Sequence, residues 1–89
     1  MTKIKLTKAI MVKGVETKEV ELDFDKLTAK DMLQAEKEAR ISGDNTPSLL
    51  VSMSYQSIVA AKLIGILPED LQAVPAKDFR NIIMPVANF

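Results

Sequence analysis

The stretch Lys3-Ile4-Lys5-Leu6-Thr7-Lys8-Ala9-Ile10-Met11-Val12-Lys13-Gly14-Val15-Glu16-Thr17-Lys18-Glu19-Val20-Glu21-Leu22-Asp23-Phe24 decides the fold. Ile4, Leu6, Ile10 and Val12 occupy even positions, and Val20, Leu22 and Phe24 keep that parity after Gly14. Lys3, Lys5, Thr7, Thr17, Glu19, Glu21 and Asp23 point the other way, the period of two half-buried strands. Lys13-Gly14-Val15-Glu16 supplies the turn, because Gly14 takes a positive φ without a Cβ clash. Matching the two apolar faces requires paired residue numbers with an even sum. That favours a three- or five-residue connection over a two-residue loop. Residues 1–13 hold four lysines and no acid, whereas residues 16–25 hold five acids and one lysine. Antiparallel pairing then sets Lys5 near Asp23 or Asp25, unless the polar face is simply solvated. Such pairs contribute about 0.2–1 kcal/mol each and select register more than they stabilise the fold. Lys8, at an even position, must leave the core face or snorkel.

At Thr28 the period changes. Thr28-Ala29-Lys30-Asp31 sets a cap residue three positions before an acid, a shortened capping box, with Leu27 as a hydrophobic staple to Met32. Met32, Leu33, Ala35, Glu36, Ala39 and Arg40 keep helical spacing as far as Ile41. Ser42-Gly43-Asp44-Asn45-Thr46-Pro47 breaks it, and an exposed loop is expected there.

Ser48 to Ile64 is the longest helical candidate, and no charge occurs between Asn45 and Ala61. A helix apolar around most of its circumference is buried on more than one side. Either the hairpin and other helices wrap it, or it meets a second copy or a partner. Gly65 suits its C-cap, and Pro68 opens a short following turn with Glu69 and Asp70 at its positive end. A last helix begins at Pro75, and Phe79, Ile82, Ile83 and Val86 form its apolar stripe. Pro85 should kink or end it, since it lacks an amide proton and crowds the Asn81 carbonyl. Phe89 either packs or frays. The expected fold is α+β: one domain over residues 1–89, with an antiparallel hairpin over 3–24 and three or four helices over 28–86.

The composition narrows function sharply. The 89 residues include twelve basic and twelve acidic side chains, 47% hydrophobic residues, and no cysteine, histidine or tryptophan. Disulfides, Cys/His metal sites, thiol nucleophiles and histidine catalysis are thereby removed. Asp23, Asp25, Glu19 and Glu21 face a lysine-rich strand rather than a pocket. Ser48, Ser52, Ser54 and Ser57 have no histidine to activate them, and Ser52 and Lys62 lack a serine–lysine spacing. No catalytic, cofactor or metal residue is assigned. Lys3, Lys5, Lys8 and Lys13 form the one basic patch, without interleaved aromatics and beside acids, so no specific nucleic-acid partner is expected. No apolar run approaches about eighteen residues and no secretory signal is visible, so a soluble intracellular protein without a membrane partner is expected.

Four segments in order carry a resemblance: Ile4-Lys-Leu-Thr-Lys-Ala-Ile10, Leu27-Thr-Ala-Lys-Asp-Met-Leu-Gln-Ala-Glu36, Ala60-Ala-Lys-Leu-Ile-Gly-Ile-Leu-Pro-Glu-Asp-Leu71, and Asp78-Phe79 through Phe89. Together they resemble the tail assembly chaperones of contractile-tailed bacteriophages and Mu-like or P2-like prophages. Asp31, Leu33, Ala35 and Glu36 fit that family's "DLL-x-AE" segment, with Met32 in place of a leucine. Leu63, Gly65, Leu67, Pro68 and Leu71 fit "LTGLP-x-x-L", with Ile64 and Ile66 as departures. Asp78 and Phe79 fit the closing "D-(F/Y)" helix, and Pro85 departs from it.

The resemblance implies a non-virion factor that binds the phage tape measure protein in the host cytoplasm, with the tail tube protein as a second partner. It also implies a longer, frameshifted form. Such work needs apolar stripes that receive a partner helix. The candidate contact residues are Leu50, Met53, Tyr55 and Ile58 in the long helix, and Phe79, Ile82, Ile83 and Val86 in the last. Met32, Met53 and Met84 would make such contacts adaptable. The alternative for each is a place in the core. The rival functions are a structural or adaptor subunit of the tail and a small DNA-binding regulator.

Overall fold

The computed structural model describes residues 2–48 and 51–89. Strand β1 (Thr2–Val12) and strand β2 (Val15–Leu22) form an antiparallel two-stranded sheet. A 3-10 turn (Phe24–Lys26) leads into α1 (Ala29–Ile41), followed by α2 (Met53–Ile64), α3 (Pro68–Gln72) and α4 (Ala76–Ala87). The mixed α+β class expected from the sequence is the one observed.

The hairpin corrects the expected register. Val12 pairs with Val15, so the connection is the two-residue loop Lys13-Gly14, with φ of +52° and +81°. Two positive φ values give a loop whose twist matches that of the strands it joins. The paired numbers have odd sums near this turn (Ile10 with Thr17, Met11 with Glu16) and even sums at the open end (Ile4 with Val20, Lys5 with Glu19). A bulge in β1 reconciles them: Leu6–Ala9 lie opposite Lys18 alone. The parity argument is therefore correct for the buried face, but the bulge and not a longer turn satisfies it. Ile4, Leu6, Val20 and Leu22 are buried. Lys5 faces Glu19 rather than Asp23 or Asp25, and Lys3 faces Glu21 with its Nζ 3.8 Å from the carboxylate. Asp23 is beyond the strand, where it caps the 3-10 turn by accepting from the Asp25 amide.

Helix α1 starts as the capping box requires. The Thr28 hydroxyl accepts from the Asp31 amide at 3.2 Å, and the Asp31 carboxylate accepts from the Thr28 amide at 3.1 Å. Helix α2 starts at Met53 and not at Ser48, because Ser52 is its cap, accepting from the Tyr55 amide at 3.3 Å. It ends at Gly65, whose φ of +92° lets both its own amide and that of Ile66 return to the Ala61 carbonyl. Helix α4 runs through Pro85 to Ala87, so the proline does not end it. Pro85 falls in the last turn, where only the bond to the exposed Asn81 is lost.

Helix α2 is the axis of the molecule. Tyr55 through Ala61 are all buried, and α1, α3, α4 and β2 pack around them. The core joins Ile4, Leu6, Val20 and Leu22 of the sheet with Ala35 and Ala39, Ile58–Ala61, Leu71, Ile82 and Val86. Phe89 folds back and stacks on Phe24, ring centroids 4.7 Å apart.

Candidate partner-binding surface

The loop between α1 and α2 is exposed in part and held at defined points. The Arg40 guanidinium donates to the carbonyls of Asp44 (3.2 Å) and Thr46 (2.8 Å). The Asp44 carboxylate accepts from the Thr46 amide (2.9 Å) and from the Ser52 hydroxyl. The Ser52 hydroxyl beside it, followed by Thr46, brings the Asp44 carboxyl down to about 2 from its ordinary 3.8. One serine thus ties the loop to the first turn of α2. Lys62 of α2 meets Glu38 of α1 at 3.8 Å and adds a polar tie between the same helices.

This arrangement leaves apolar side chains outside. Ile41 at the end of α1, Val51 just before the Ser52 cap of α2, Met53 at the start of α2, and Leu67 before α3 are 76%, 72%, 64% and 64% exposed. Ile41 and Leu67 line a groove of about 400 Å³ floored by Ile58, with Glu38 and Glu69 beside it. Val51 and Met53 line an adjoining hollow, and Ser42 and Ser54 belong to both. The four apolar side chains therefore border one continuous face.

Of the candidate contact residues read from the sequence, Met53 lies on this face and Leu50 lies outside the described residues. Tyr55, Ile58, Ile82 and Val86 belong to the core, Ile83 is buried, and Phe79 is half-buried against the core. The two stripes are thus not brought together as one surface, and most of their residues close the interior of this chain. Burial raises the Tyr55 phenol, with the Glu36 charge as a second cause. Ile41, Val51 and Leu67 escaped the sequence reading because helical spacing alone does not say where packing stops. Their signal was position. Ile41 immediately precedes Ser42-Gly43, and Leu67 precedes Pro68.

Asp78 was singled out only as a motif residue. It is completely buried, and its carboxylate accepts from the Thr7 amide (3.0 and 3.1 Å), the Thr7 hydroxyl (3.0 Å) and the Lys8 amide (3.3 Å). The Thr7 amide is the main cause that holds its carboxyl below the ordinary range, against the opposing effect of burial. The β1 bulge exists at the residues whose amides Asp78 takes. Lys8 leaves the core face at the same place and is exposed. That departure, one of the two outcomes its parity allows, is the legible trace of this contact.

Two of the serines have local roles. Ser52 caps α2, and Ser57 donates to the Ser54 carbonyl at 2.8 Å. Among the described residues no three acidic side chains converge as a metal ion would need.

Fold and surface define a small α+β protein with a helix-centred core and an apolar face at one end. The chain belongs to the phage tail assembly chaperone family, matching over residues 3–89 the family described as "Phage tail assembly chaperone proteins, E, or 41 or 14". No curated protein and no solved structure matches it. The segments that carry the likeness now have physical roles. Asp31 closes the capping box of α1, Gly65 ends α2, Pro68 opens α3, and Asp78 joins α4 to the hairpin.

Proposed function

We propose that this chain binds the tape measure protein during tail assembly and takes a helical segment of it on the face bordered by Ile41, Val51, Met53 and Leu67. The observation that carries the reading is that apolar face in a member of a tail assembly chaperone family. A long helical protein awaiting its tube exposes apolar stripes, and a matching groove shields them from self-association. Met53 adds an adaptable contact, suited to successive segments of differing shape. On this reading the protein works in the host cytoplasm, is absent from finished particles, has no catalytic role, and meets the tail tube protein as a second partner.

Co-expression of the tagged chain with the tape measure protein of the same genome tests it, the eluted complex being sized by light scattering. A soluble complex is expected, with the partner insoluble when expressed alone. Ile41→Lys with Leu67→Lys should abolish capture while the chain stays folded. Failure of capture by the chain and by any frameshifted form sinks the proposal. Presence in purified particles at fixed stoichiometry would make the protein a structural subunit instead.

A further inference from the structure

The outer edge of β2 is a second surface, on the opposite side of α1 from the apolar face in terms of the helix end it meets: it adjoins the N-terminus of α1 and the C-terminus of α2. The sheet has two strands, so each strand has one edge without a strand partner among the described residues. The two edges are not equivalent. At β1, the Thr7 and Lys8 amides are bound by Asp78 of α4. At β2, apart from the Val15 carbonyl, which accepts from the Thr17 hydroxyl, no main-chain group of Val15–Leu22 is bonded to anything but β1 among the described residues.

A groove of about 580 Å³ runs beside this open edge. Val20, Leu27 and Leu63 line it with apolar groups, Glu19, Glu21, Asp23 and Asp31 with carboxylates, and Lys26 and Lys62 with ammonium groups; Glu21 is paired with Lys3 and Asp23 with Lys26, so acids outnumber bases four to two. Glu19 has no ion pair within 4 Å among the described residues. Lys62, also on the groove, is drawn to Glu38 of α1.

We propose that the β2 edge accepts an extended, lysine- or arginine-bearing segment of a partner protein as a third strand of the sheet. Unpaired main-chain groups supply the affinity of strand addition, and the side chains that alternate along the added strand supply selectivity. One face of that strand meets Glu19 and Glu21, which calls for basic residues at every second position. The other meets the apolar groups of the groove. A second copy fits poorly. Laid antiparallel on itself near Glu19 or Val20, β2 would set glutamates against glutamates, and β1 has its edge occupied at Thr7 and Lys8. This inference is independent of which tail protein occupies the apolar face.

The test is an NMR titration of the full ¹⁵N-labelled chain with a capped heptapeptide alternating lysine and valine, and with its glutamate counterpart. Saturable shifts at the amides of residues 17–22 are expected with the lysine peptide only. They should weaken as salt rises from about 0.05 to 0.5 M. Glu19→Gln with Glu21→Gln should weaken binding by about tenfold or more. If that pair of changes disturbs the hairpin, Glu19→Gln alone keeps the test, since its carboxylate has no close ion pair. No shifts at millimolar peptide, equal shifts with the glutamate peptide, shifts centred elsewhere, or self-pairing through β2 would each overturn the proposal.

Discussion

Asp78 and Thr7 are 71 residues apart in the chain, and the Asp78 carboxylate accepts both the amide and the hydroxyl of Thr7. The Lys77 charge is only a minor favourable influence on this buried carboxylate, and among the described residues no ion pair reaches it. Its charge is stabilised by main-chain dipoles of the bulge and by its position in the first turn of α4. A buried acceptor satisfied this way fixes both partners, because losing it takes the protein partner from three donors of Thr7 and Lys8 at once.

Asp78→Ala should therefore lower the melting temperature by on the order of 10 °C. Asp78→Asn should recover only part of that, since its amide group presents donors to donors. Thermal unfolding followed by circular dichroism measures both.

Stability should fall with acid in a defined window. The carboxyls of Asp31, Asp44 and Asp78 are all held below 3.8 in the folded chain, Asp44 at about 2. The unfolded chain binds protons more readily than the folded one. The stabilisation is thus complete above pH 3.8 and is lost as pH falls toward 2. Urea midpoints between pH 5 and pH 2 should show this slope, and Asp44→Asn should reduce it.

Gly65 has a φ of +92°, and a Cβ there would approach Lys13 Cε to 3.0 Å. Lys13 ends in a flexible side chain that can move aside, so the backbone conformation sets the cost. Gly65→Ala should destabilise by about 1–2 kcal/mol, and Gly65→Asn by less. Denaturant midpoints at constant slope distinguish the two.

Two residues of α4 should respond very differently. Ile82 is wholly buried, and Ile82→Ala should cost about 2–5 kcal/mol. Met84 is 51% exposed, and Met84→Ala should change stability by less than about 0.5 kcal/mol. Equal effects in chemical denaturation would show that α4 is packed differently.

Stacking of Phe89 on Phe24 ties the last residue to the turn after β2. Phe89→Ala should destabilise by about 0.5–1.5 kcal/mol and speed amide exchange at Val86 and Asn88. Hydrogen exchange by NMR reads this directly.

Much of the fold was legible because its causes lie within a few residues. Alternation in Lys3–Glu21 requires a half-buried hairpin, Thr28 and Asp31 cap a helix, and Gly65 ends one. Each follows from local geometry and from which side chains avoid water. The start of α2 was misread because Ser48 and Ser52 are both competent caps. Only Ser52 meets Asp44 across the loop, and that choice depends on where Arg40 draws the chain.

The outward-facing apolar residues were harder to read for the same physical reason. Tyr55, Ile58, Ile82 and Ile41 are alike in hydropathy and in helical spacing. The sequence by itself determined the α+β class, the hairpin, most helix ends and the absence of cysteine and histidine chemistry. Tertiary structure decided the register through the bulge at Leu6–Ala9, the burial of Asp78, and which apolar residues face outward. Those depend on free energies of packing between elements distant in sequence, as when α4 meets β1. No local pattern contains that information.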